Sequence, residues 1–172
     1  MATPIRAPTA DKALLPKDTS QPESIETVAA ILTQCKASLI EDWLIRTKKT
    51  PALCHLRLSD EERTGLLPKL VEDLIEGLGR PKLPDKDSDA IASPAAIEHG
   101  KLRRKQGYSI DVLIHESRIL RATIFGILHE NLSTLDFKLL LPDVTIIADQ
   151  LDSLLTQTTY AFAKSRTRST AA

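Results

Sequence analysis

Apolar residues keep returning to one side of a helix from Ile25 onward: Ile25, Val28, Ala29, Leu32, Cys35, Leu39, Ile40, Trp43 and Leu44 form one stripe. The pattern predicts a helix from about Glu23 to Lys49, stopped by Pro51, because the residue before a proline is biased away from helical geometry. Ser59 followed three residues later by Glu62 is a capping-box signature, in which two side chains satisfy unpaired backbone donors at a helix start. Leu66, Leu67, Leu70, Val71, Leu74, Ile75 and Leu78 then make a second stripe, closed by Gly79 and Pro81. Pro68 lies inside it, lacking a backbone donor and crowding the preceding turn, which predicts a kink or a fresh start.

Ser93 and Pro94 read as an N-cap and first residue of a third helix, running to about Gln106, where Gly107 supplies a left-handed turn. Ser109 caps a fourth, whose stripe of Ile110, Leu113, Ile114, Ser117, Leu120, Ile124, Ile127 and Leu128 lasts until Asn131. After Ser133 and Thr134 a long final helix carries Leu139, Leu140, Val144, Ile147, Leu151, Leu154, Leu155 and Phe162, with Pro142 bending it or marking its first turn. No strand alternation, glycine-rich phosphate loop or internal repeat competes. The fold class is therefore all-α, a single bundle of about five helices.

Residues 1–22 contain Pro4, Pro8, Pro16 and Pro22 among small and charged residues, too little apolar surface to offset ordering entropy, and read as a disordered tail. The helical domain spans residues 23–165, with Arg80 to Ala92 as its most mobile loop, and residues 166–172 form a frayed tail.

Composition narrows the partners. With 23 basic against 23 acidic residues, no global field draws the protein to nucleic acid or an anionic membrane. Six scattered aromatic residues make no base-stacking platform. No apolar run serves as a signal-peptide core or approaches the roughly 20 residues of a membrane span, so a cytoplasmic location is expected. Cys35 and Cys54 fit neither a redox motif nor a zinc knuckle, and Cys35 reads as a small core residue.

The chemistry gathers around the Gly107 hinge. Ala95, His99, Leu102, Arg103 and Gln106 share one face of the third helix, and Glu116 and Arg121 flank the core stripe of the fourth. Charges at core positions must find partners. His99, Arg103, Gln106, Glu116 and Arg121, with Tyr108 at the hinge, are thus expected to form one polar network, commonly an architectural lock between helices and otherwise a ligand site.

His99, Gly100, Arg103, Gln106, Gly107 and Tyr108, followed by Leu113, Glu116, Leu120 and Arg121, resemble the "HGxxRxxQGY…L…E…LR" pattern of the N-terminal sensor domain of RsbR and RsbRD type co-antagonists. The resemblance extends more loosely over about residues 25 to 163. It implies a globin-like domain without haem that forms a homodimer and feeds signals to a STAS domain or histidine kinase in stress-response or two-component pathways. Here neither follows the last helix, so output is expected through a separate STAS-domain protein or kinase.

Alternatives have their own residues. His99 or His129 as an axial ligand would make a haem-binding sensor, although Arg103 and Gln106 oppose an apolar pocket. His115, Glu116 and Arg118 mimic the start of a histidine phosphoacceptor box without its usual proline. Ile119 stands where an HExxH zinc motif needs its second histidine, and no nucleophile elbow is present. The expected module is non-catalytic, without metal or other cofactor.

Overall fold

The computed structural model describes residues 26–79 and 92–167. The proline-rich tail at 1–22, the loop at 80–91 and the chain from residue 168 lie outside the described residues. The fold is all-α, with eight helical segments among the described residues: α1 Val28–Gln34, α2 Lys36–Lys49, α3 Pro51–Cys54, α4 Asp60–Thr64, α5 Leu67–Leu78, α6 Pro94–Lys105, α7 Ile110–Glu130 and α8 Phe137–Thr167. Extended pairing among the described residues is limited to one isolated bridge between Glu26 and Leu135.

The count exceeds the expected five for local reasons. The predicted first helix is divided at Cys35, whose φ of −88° and ψ of 6° leave the helical well. There the Cys35 carbonyl accepts from both the Ser38 hydroxyl at 2.9 Å and the Leu39 N–H at 2.8 Å. The ladder still crosses the break, so α1 and α2 remain consecutive parts of one path. Pro51, placed in a first helical turn, starts the single turn α3. The Ser59 and Glu62 capping box closes with bonds of 3.2 and 2.8 Å and starts α4. Gly65, at φ +44°, ends α4, and Pro68 lies in the first turn of α5, the fresh start the sequence allowed.

Ser93 caps α6 by accepting from the Ala96 N–H at 3.0 Å, and Gly107 turns the chain at φ +81° between α6 and α7. α8 continues through Thr167, two residues into the stretch read as a frayed tail, and holds Pro142 inside it.

The main core gathers Ile31, Leu32, Leu39, Trp43, Leu74, Ile124, Ile147 and Leu151, from α1, α2, α5, α7 and α8. A smaller cluster of Leu53, Tyr108, Val112, Leu113 and Phe162 joins α3 to the far end of α8. Cys35 is half-buried and packs against the main core, as expected of a small apolar residue. Most of the apolar stripe of α7 is buried, Leu113, Leu120, Ile124, Ile127 and Leu128 included, but Ile110 and Ile114 at its start are exposed, and Val112, Glu116 and Thr123 are buried beside it. Polar residues hold those places because each has a local partner, Thr123 donating to the Ile119 carbonyl at 3.0 Å and Glu116 meeting α6.

Candidate functional site

His99 and Arg103 stand one turn apart on α6, four residues in a helix of 3.6 per turn, and both are buried. Glu116 lies on the second turn of α7, brought opposite by the left-handed Gly107 hinge. Its Oε2 accepts from Arg103 Nε at 3.1 Å and lies 3.3 Å from His99 Nε2. Arg103 Nη2 is 2.6 Å from Glu116 Oε1, a close ion contact whose angle is not that of a directed hydrogen bond.

The guanidinium then reaches a third element. Arg103 Nη1 donates to the Glu62 carbonyl at 2.9 Å and to Gln106 Oε1 at 2.7 Å, while Nη2 donates to the Arg63 carbonyl. Gln106 Nε2 donates to the same Glu62 carbonyl at 3.0 Å. These are carbonyls of α4 that a short helix leaves unpaired at its end, so Arg103 acts as its C-terminal cap. The Tyr108 ring lies under the guanidinium, 4.9 Å from its carbon to the ring centre.

Five of the six expected network residues, His99, Arg103, Gln106, Tyr108 and Glu116, therefore meet. Arg121 does not. Five residues beyond Glu116, it is turned about 140° round the helix, and it pairs with Asp152 of α8 on a solvent-exposed face. Sequence reasoning missed Arg63, buried at 5% exposure, whose Nη1 and Nη2 donate to the Leu53 and Leu56 carbonyls at 3.2 and 2.5 Å. A signal existed: Arg63 precedes Leu66, Leu67 and Leu70 by three, four and seven residues, on their stripe.

The electrostatics follow from burial and pairing. Burial alone would raise the Glu116 carboxyl, but the charges and hydrogen bonds of His99 and Arg103 outweigh it and hold the group below its ordinary value. Burial first, then the Glu116 carboxylate beside it, pushes the Tyr108 phenol well above its ordinary value. Glu116 thus stays an anion and Tyr108 a neutral phenol at neutral pH.

Because the folded carboxyl is lowered, its contribution to stability is present above the unfolded value of 4.5 and is lost as pH falls through the lower folded value. The urea midpoint is expected to fall as pH drops below about 4.5, and Glu116→Gln to flatten that acid limb. The exposed Glu61, Glu98 and Asp111, also lowered, will leave a residual slope in the variant. A variant with an unchanged acid limb would show that Glu116 is not the group lost.

The remaining histidines lie apart. His115 and His129 are exposed on α7, and His99 has its Nε2 committed to Glu116, which leaves the haem alternative without a free Nε2 at that position. Comparison with protein-family models, with the curated proteins and with the solved structures finds no match to this chain.

Proposed function

We propose that this chain is a non-catalytic regulatory module of bacterial signal transduction, acting in the cytoplasm as a homodimer and through contact with a STAS-domain protein or a histidine kinase. One observation carries the reading: a single buried guanidinium holds α4, α6 and α7 together, its donors spent on Glu116, Gln106 and two α4 carbonyls. Those groups are committed to one another rather than offered to a substrate. A change at this joint must exchange several bonds at once, which favours two discrete helix arrangements over gradual deformation. Signal enters by tightening or loosening the joint and leaves as altered packing of α6 and α8.

The dimer surface in this reading is the start of α8, where Phe137, Leu139 and Leu141 are exposed at 68%, 46% and 74%. Sedimentation equilibrium at tens of micromolar is expected to give twice the 18.9 kDa chain mass, and Phe137→Glu with Leu141→Glu to halve it. A wild-type monomer at that concentration defeats the dimer. For output, purified STAS-domain proteins and histidine kinases of the same cell are tested for binding. Absence of binding to every one removes the signalling assignment.

A further inference from the structure

Beside the joint, α2, α5, α6, α7 and α8 converge on a recess whose wall includes Trp43, His99, Leu113, Ser117, Leu120 and Leu155. It holds about 440 Å³ of unfilled space, its open mouth included. Its wall is mainly apolar.

Three lining side chains carry a buried atom that makes no hydrogen bond, and one of these, Glu116 Oε1, is held by the ion contact with Arg103. Trp43 is 1% exposed and His99 5%, yet Trp43 Nε1 and His99 Nδ1 find no hydrogen-bond partner among the described residues. A buried polar atom left unpaired costs about 1–3 kcal/mol. Two such atoms in one apolar wall are the polar groups that fix a ligand's orientation in a small-molecule site.

Their chemistry specifies the ligand. The indole nitrogen can only donate. Glu116 is a carboxylate and can only accept, so His99 Nε2 carries a proton towards it in either charge state of the ring, which leaves Nδ1 to meet a ligand. The wall therefore brings one fixed donor, Trp43 Nε1, and one ring nitrogen, His99 Nδ1. A hydroxyl, which both donates and accepts, can meet the two, while the leucines cover an apolar body. We propose that the recess binds a small neutral molecule with one hydroxyl on a short apolar body, of the alcohol class. The consequence for signalling rests on the regulatory reading above: a ligand on His99 sits one hydrogen bond from Glu116 and so bears on the joint.

The test uses the full chain and 1-hexanol. Trp43 is the chain's one tryptophan and lines the recess, so its fluorescence reports occupancy directly. A saturable fluorescence change with a matching rise in Tm is expected, and hexane is expected to bind at least about tenfold more weakly, two hydrogen bonds being lost. Trp43→Phe, followed by thermal shift, should weaken hexanol about fivefold or more. Ser117→Leu, which narrows the recess, should abolish saturation while circular dichroism stays native.

No saturation up to the solubility of hexanol overturns the site. Equal binding of hexane and hexanol overturns the hydroxyl assignment, as does hexanoate binding more tightly than hexanol, which would require a proton on Nδ1. Failure of the dimer and partner tests with hexanol still saturating removes the regulatory reading alone. The reverse result removes the recess site alone.

Discussion

Arg103→Ala is expected to lower the unfolding free energy by about 3–5 kcal/mol, the cost of removing one partner from a buried ion pair. The size follows from what the alanine abandons. Arg103 is fully buried, and without it Glu116 keeps a charge in the core with only the His99 ring and the Tyr108 phenol beside it. The Glu62 and Arg63 carbonyls also lose their guanidinium donors, and Tyr108 loses the cation over its ring. Arg103→Lys keeps the charge but offers one compact ammonium where a planar fork reaches three elements, so it should fall between wild type and alanine. Arg103→Met combined with Glu116→Leu removes both charges and should cost less than Arg103→Ala alone, because no ion is left uncompensated. Urea unfolding followed by circular dichroism measures all three. An Arg103→Ala protein within about 1 kcal/mol of wild type would mean that the joint is solvated and carries no weight.

The members of this joint were unequally visible in the sequence. His99, Arg103 and Gln106 announce themselves because polar groups fall at inward spacing on α6, and Glu116 because a carboxylate interrupts the buried face of α7. Arg121 has the same character by composition, yet helical angle separates it from Glu116 and hands it to Asp152, a residue 31 positions away. Spacing along one helix is legible, whereas a partner on another helix is not. The α4 carbonyls of Glu62 and Arg63 were invisible for a different reason: every residue has a carbonyl, and only the end of a short helix makes these two available.

The fold shows the same division between local and distant causes. The caps at Ser59 and Ser93, the start at Pro68 and the turn at Gly107 each depend on a few neighbouring residues, and each stands where the pattern put it. The break at Cys35 leaves the ladder bonds on both sides of it in place, so the apolar stripe runs across it without a mark. The outward turn of Ile110 and Ile114 depends on what α7 packs against, which no periodicity contains. How near two helices lie is of this second kind, and one glycine of α6 makes it measurable.

Gly100→Ala sets two effects against each other. In a helix interior, alanine is favoured over glycine by about 0.8–1.0 kcal/mol, so propensity alone predicts stabilisation. Packing predicts the opposite. A Cβ at Gly100 would stand 2.2 Å from the Thr158 carbonyl oxygen, 3.0 Å from the Phe162 nitrogen and 3.1 Å from the Thr158 carbonyl carbon, all backbone atoms of α8. No rotamer change relieves such contacts, so α6 and α8 must separate. Separation stretches the 3.2 Å bond from the Thr158 hydroxyl to the Ala96 carbonyl and draws Arg103, three residues on, away from α4. Overpacking of this kind costs about 1–3 kcal/mol even where side chains can share it, and here they cannot, so a net loss of about 2 kcal/mol or more is expected. Two other helical glycines calibrate the result. At Gly126 the nearest atom to a Cβ is Arg46 Nη2 at 3.9 Å, so Gly126→Ala should be neutral or stabilising. At Gly77 the three atoms nearest the Cβ all belong to the flexible Gln150 side chain, which can swing aside, and the variant should lie between the other two. Thermal unfolding of the three proteins under one buffer ranks them, and Gly100→Ala melting with Gly126→Ala would require a wider α6 to α8 spacing than these contacts describe.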